Sequence, residues 1–191
     1  MAERLAIHGG TPTVPADLHQ PWPRITPEDK AAVLAVLDRG TVGGAEAPEA
    51  VGLQQEFAAY TGARYCLATN SGTAALHLAL LALGIQPGDE VITSAFSFSA
   101  SALAILHALA VPVFADVRPD TYTLDPRHVE QLIGPRTRAI MPVHIHGLPA
   151  DLDEIMAIAE RHGLIVIEDA CQAHGATYKG RRVGPLARMG A

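Results

Sequence analysis

The chain has 191 residues, 49% hydrophobic and 18% charged, with a net charge of −6 and its acidic and basic groups interspersed. That length supplies one sizeable core, and the composition excludes a disordered polymer. The lack of any basic block argues against nucleic acid or an anionic membrane as a partner. No apolar run reaches bilayer length, the start "MAERLAIHGG" lacks a signal-peptide core, and Cys66 and Cys171 show no paired spacing. These features predict a cytoplasmic protein in a reducing compartment.

In chain order, "GGTPTVPADLHQPWPRITPED" is rich in Gly and Pro and reads as an extended arm. A helix follows over roughly Pro27 to Asp38, closed by Arg39-Gly40, and "GTVGGAEAPEA" reads as a flexible loop. Residues 1–50 are therefore expected to form arm, helix and loop, and residues 51–191 a separate α/β domain. Strands are expected at "RYCLATN", "EVITSAF", "VPVFADV", "AIMPVHI" and "LIVIEDA". Helices are expected near "SGTAALHLALLALG", "SASALAILHALA", "DPRHVEQLI" and "ADLDEIMAIAERHG". In the last of these, Asp151 and Glu154 suggest a capping box, Leu152, Ile155, Met156 and Ala159 share a face, and Gly163 stops the helix. This alternation predicts a mainly parallel sheet with covering helices.

Parallel sheets bind ligands at the carboxyl ends of their strands, so the residues just after each strand are the candidates. After the first comes "NSGTAAL", where Ser71 or Asn70 caps a helix and Gly72 allows a close approach. The free N–H groups there, with the hydroxyls of Ser71 and Thr73, suit a phosphate; simple capping is the alternative. After the second, Phe96 and Phe98 fall on one side if the extended run continues, as a stacking surface or as core. After the fourth, His144 and His146 lack a third metal ligand, so no metal site is assigned, and His144 reads as a pocket wall or a hydrogen-bonded structural residue. After the fifth, Asp169 ends the strand with Glu168 on the opposite face, as ligand-facing groups or, alternatively, as helix-capping or salt-bridged carboxylates.

A phosphate cradle, a flat aromatic and a strand-end carboxylate together suit a planar, phosphorylated, cationic heterocycle. Pyridoxal phosphate (PLP) has those features, and an acid beside its ring nitrogen would keep that nitrogen protonated. Neither G-x-G-x-x-G after the first strand nor G-x-x-x-x-G-K-[ST] occurs, which disfavours dinucleotides and nucleotide hydrolysis.

"NSGTAALHLAL", "PGDEVITSAFSFSASA", "IMPVHIHGLPADLDEI" and "IEDACQAHGATYKGRRVG" closely resemble the DegT/DnrJ/StrS family of PLP-dependent aminotransferases. The resemblance implies the type I aminotransferase large domain and amino transfer from glutamate or glutamine to a keto sugar, ketocyclitol or related small molecule. It also implies a homodimer whose sites the partner subunit completes. By the same resemblance, Ser71, Gly72 and Thr73 hold the cofactor phosphate and Phe98 stacks on the ring. Asp169 pairs with the ring nitrogen, Gln172 bonds the ring hydroxyl, and His144 and His174 lie near the pocket. The family's Schiff-base lysine follows a segment like "RRVGPLARMGA", so the chain reaches Ala191 before it, and neither Lys30 nor Lys179 matches its position. No catalytic residue is therefore assigned, and the sequence reads as a truncated form, about half of a typical member. Two alternatives remain: a lysine-less member that dehydrates nucleotide sugars, or a non-catalytic cofactor-binding remnant.

Overall fold

Val91, Met141 and Ile167 fall on one side of a sheet while Ile92, Ile140 and Val166 fall on the other, as the period of two along each strand requires. The computed structural model describes residues 4–18, 23–44 and 46–191. His19 to Trp22 of the expected arm, the first residues of "MAERLAIHGG" and Ala45 of the expected loop lie outside the described residues. The chain divides into two units, Met1–Ala47 and Pro48–Ala191.

In the first unit the longest described element is α1 (Pro27–Arg39). Thr26 Oγ1 accepts from Asp29 N–H, Asp29 accepts in return from Thr26 N–H, and Gly40 ends the helix with φ of 77°. That left-handed position is cheap only for glycine.

The second unit begins with α2 (Pro48–Thr61) and α3 (Gly72–Ala82). Then come β1 (Glu90–Ser94), α4 (Ala100–His107), β2 (Val111–Ala115), α5 (Pro126–Leu132) and β3 (Thr137–Met141). It continues with α6 (Leu152–His162), β4 (Ile165–Glu168), a hairpin of β5 (Thr177–Tyr178) and β6 (Arg181–Arg182), and β7 (Met189–Gly190). The main sheet is parallel with order β2-β1-β3-β4-β7. Helices α3 and α4 cover one face and α5 and α6 the other. The chain leaves β1 toward β2 and then crosses back to β3, so the order reverses beside β1, which is where open α/β sheets form a crevice. The α/β architecture with a helix-covered parallel sheet is as the sequence predicts.

Four local expectations are corrected. Residues 64–70 are not a strand: Ala68 N–H bonds Gln54 Oε1, Thr69 Oγ1 bonds Ser71 O, and no described strand lies alongside to supply a ladder. Their Tyr, Cys and Leu carry β propensity, but a strand exists only when paired. Helix α2 has no counterpart in the sequence reading, because Gly52, Gln54, Gln55 and Glu56 blur its apolar period. β1 stops at Ser94, so Phe96 and Phe98 do not continue an extended run. Asp151 makes no cap bond to α6; its carboxylate pairs instead with Arg118 Nη1 at 3.0 Å, a charged partner from another loop.

Candidate functional site

Asp169 follows β4 directly, and strand alternation turns its side chain to the α3/α4 side, opposite Glu168. The residue is 5% exposed, and its backbone extends the sheet: its N–H donates to Pro142 O at 2.9 Å and its carbonyl accepts from His144 N–H at 3.0 Å. Ser101 Oγ on α4 donates to Oδ2 at 2.6 Å, and Cys171 N–H donates to Oδ1 at 3.3 Å. A carboxylate offers about four lone-pair sites, so each oxygen keeps acceptor capacity for a cationic N–H.

The first turn of α3 reaches this loop. A Cβ at Gly72 would lie 2.7 Å from Cys171 Sγ, so only glycine fits without displacing the thiol. Ser71 caps the helix through a lone pair that accepts from Ala74 N–H at 3.1 Å. The capping alternative is thus realised, and it leaves the Ser71 hydroxyl proton available. The amides of Gly72 and Thr73, at the start of the helix, have no helical acceptor and lie at the positive end of its dipole. Cys171 is not a nucleophile: burial, then the charge and hydrogen bond of Asp169, push its thiol up to about 12, so it stays protonated at neutral pH.

Phe98 is 70% exposed just before α4, and Phe96 is 44% exposed with its ring 5.7 Å from Tyr122 and 6.0 Å from His146. Neither is core. Gln172 accepts from His146 N–H through Oε1 at 3.1 Å, which leaves its NH₂ group to donate. His174 is exposed, edge-on to Phe57 at 5.9 Å on the α2 side.

His144 is enclosed. Its Nδ1 accepts from Ala150 N–H at 3.0 Å, so the proton sits on Nε2 and donates to Glu168 Oε2 at 3.1 Å. Glu168 also accepts from Gly184 N–H at 2.8 Å and Ala187 N–H at 2.6 Å. Burial pushes its carboxyl up, but the His144 bond and the two amides outweigh this and hold it below the usual range. His144 and Glu168 thus form a clamp behind Asp169, tying the segment before β7 to the sheet. Lys179 is ion-paired with Asp153, at the start of α6, on the sheet face opposite the Asp169 carboxylate.

The sequence reading missed Ser101 and the Glu168–His144 clamp. Serines at 97 and 101, one turn apart, were the available signal for the first. The residues present fit a PLP-type group. A helix N-terminus that requires glycine, a half-satisfied buried carboxylate and an exposed phenyl ring all belong to segments meeting at the carboxyl ends of β1, β3 and β4.

A sequence model of the DegT/DnrJ/EryC1/StrS aminotransferase family matches residues 23–191. The dTDP-3-amino-3,4,6-trideoxy-alpha-D-glucose transaminase of Streptomyces venezuelae is 48% identical over 175 residues, which cover 91% of this chain and 46% of that protein. A putative L-glutamine:3-amino-2,3-dideoxy-scyllo-inosose aminotransferase of Micromonospora echinospora is 42% identical over 192 residues, covering 100% of this chain and 46% of the relative. Among solved structures, NtdA from Bacillus subtilis with bound cofactor PMP matches with a TM-score of 0.75 at 41% identity, over 82% of this chain and 36% of that one. The chain spans less than half the length of these relatives. No helix among the described residues is long and apolar enough to cross a membrane.

Proposed function

The chain belongs to the DegT/DnrJ/EryC1/StrS aminotransferase family, and from that premise we propose that it carries the cofactor site of a PLP-dependent enzyme. The reaction proposed is transfer of an amino group from glutamine or glutamate to a keto sugar, ketocyclitol or related biosynthetic intermediate. The observation that carries the reading is Asp169: a buried carboxylate at a strand end, held by Ser101 and Cys171, with acceptor capacity to spare. The substrate class rests on the names of the relatives, which include a dTDP-sugar transaminase and an L-glutamine-dependent inosose aminotransferase.

Each residue has a role that its chemistry suits. The amides of Gly72 and Thr73 with the Ser71 hydroxyl hold the phosphate, as helix N-termini do. Phe98 covers one ring face, the Gln172 NH₂ donates to the ring hydroxyl, and Asp169 accepts from the protonated ring nitrogen. When bound, PLP supplies an electron-withdrawing ring that stabilises negative charge beside the transferred nitrogen. Asp169 sustains that withdrawal by keeping the ring proton in place. Residues 51–191 are proposed to be part of the large cofactor-binding domain, with residues 1–50 an arm and loop that serve a homodimer. The cytoplasm is the proposed compartment, in keeping with two unpaired thiols.

The test is Asp169→Asn, which conserves volume and removes the charge. PLP affinity is measured by equilibrium dialysis, and keto acid released from glutamine or glutamate is measured with dTDP-keto sugars and inososes as acceptors. Losing the ion pair should weaken PLP binding by this chain and, in a protein that also carries the family's Schiff-base lysine, lower turnover by on the order of a hundredfold. Wild-type protein that does not bind PLP, or an Asp169→Asn variant that matches wild type, overturns the proposal.

A further inference from the structure

Ser101 lies in the first turn of α4 at 2% exposure, yet its hydroxyl is not spent on its own helix. A buried helical serine ordinarily bonds a carbonyl three or four residues back. Here Ser101 Oγ is 3.5 Å from Phe98 O, the outer limit of a hydrogen bond, but 2.6 Å from Asp169 Oδ2. A carboxylate only accepts, so Ser101 must donate to it. The Ser101 oxygen is then left as an acceptor, and Ser97 Oγ stands 2.9 Å away to donate. The result is a directed pair of hydroxyls, Ser97 to Ser101 to Asp169. Cys171 N–H holds the other carboxylate oxygen at the longer distance of 3.3 Å, so Ser101 is the tighter of the two restraints.

We propose that Ser101 is a positioning residue for cofactor recognition: it holds Asp169 in the rotamer that addresses the ring nitrogen of a pyridine-type cofactor, and Ser97 sets the direction of the Ser101 hydroxyl. The inference rests on the reading of Asp169 given above and extends it to two residues that make no cofactor contact of their own in that reading. A carboxylate freed from Ser101 keeps its charge but loses its aim. Recognition of the ring nitrogen should suffer, while the phosphate and stacking contacts remain.

The discriminating probe is a pair of ligands, PLP and deaza-PLP, in which C–H replaces the ring nitrogen. Dissociation constants are measured by equilibrium dialysis for wild type, Ser101→Ala, Ser101→Thr and Ser97→Ala, with circular dichroism confirming the fold of each. Wild type should prefer PLP. Ser101→Ala should lose PLP affinity by roughly tenfold, the size of a hydrogen bond to a charged group, with deaza-PLP affinity unchanged. Ser101→Thr keeps the hydroxyl and should restore the preference, and Ser97→Ala should weaken it to a smaller extent. Equal loss of both ligands in Ser101→Ala, or a Thr variant as poor as the Ala variant, overturns the assignment in favour of a purely structural serine. Discrimination that survives intact in Ser101→Ala overturns the assignment alone. A wild type that does not distinguish the ligands overturns the reading of Asp169 and this assignment with it.

Discussion

Glu168→Gln tests whether the clamp behind the site is structural. The carboxylate accepts three bonds, two at Oε2 from His144 and Gly184 and one at Oε1 from Ala187. Glutamine has one acceptor oxygen. Its least costly orientation keeps that oxygen toward His144 and Gly184 and turns the NH₂ group onto Ala187 N–H, donor against donor at a site where the native separation is 2.6 Å. One buried donor left unsatisfied costs about 1–3 kcal/mol, and two charge-assisted bonds reduced to neutral ones cost about 1–2 kcal/mol more. The sum, about 2–5 kcal/mol, is a large share of the ~5–15 kcal/mol that holds a domain together. Urea denaturation followed by circular dichroism should show the midpoint falling by roughly 1–2 M. The pH dependence adds a second check. The folded Glu168 carboxyl lies below its ordinary 4.5, so its stabilisation is complete above that value and is lost as pH falls through the folded value. The gap between wild type and variant should therefore close in acid. A Glu168→Gln midpoint within error of wild type at neutral pH, or a gap that persists undiminished in acid, would refute the clamp.

Gly72→Ala should destabilise by about 1–2 kcal/mol, because its Cβ would sit 2.7 Å from Cys171 Sγ. In a Cys171→Ala background the same change should lose most of its cost, since the thiol that the new Cβ meets is gone; denaturation midpoints without such coupling would contradict the contact. Lys179 should remain unlabelled when the protein is incubated with PLP and reduced with borohydride. Its hydrogen bond to Asp153 and that residue's charge raise its pKa and keep the amine protonated, and it lies on the wrong side of the sheet. A stoichiometric pyridoxyl group at Lys179 in the peptide map would count against this placement.

What could be read from sequence was whatever is decided within a few residues. The stop of α6 at Gly163, the β1–β4 strands and the opposite facing of Glu168 and Asp169 all follow from local period and turn chemistry. The failures have a common cause in distant partners. Residues 64–70 look extended but depend on a neighbour strand, and Asp151 looks like a cap until Arg118, 33 positions earlier, takes its carboxylate. The Ser101–Asp169 bond spans 68 positions and the His144–Glu168 bond 24, so local sequence does not pair either carboxylate with its partner. Ser71, Gly72, Thr73, Phe98 and Asp169 are candidates because each sits just beyond a strand or at a helix start, where position suggests exposure to a ligand, whereas the role expected of Gln172 comes from the family resemblance.

The alternation at the end of β4 has a consequence for how such a chain can vary. Glu168 and Asp169 differ by one methylene and one chain position, yet they serve opposite sides of the sheet. A single-residue insertion or deletion in β4 would exchange them. The longer acid would then be driven into α4 at Ser101, and the shorter one would have to span to Gly184 and Ala187. Both errors would arrive in one step, with no intermediate that preserves either side. Length variation in this segment is therefore expected to be confined to the β5–β6 turn at Lys179 and Gly180, where both residues are exposed and an added one disturbs no more than the surface ion pair of Lys179 with Asp153. A library of one-residue insertions scanned from Leu164 to Arg182 and scored for folded protein would show that boundary as a sharp change from intolerance to tolerance.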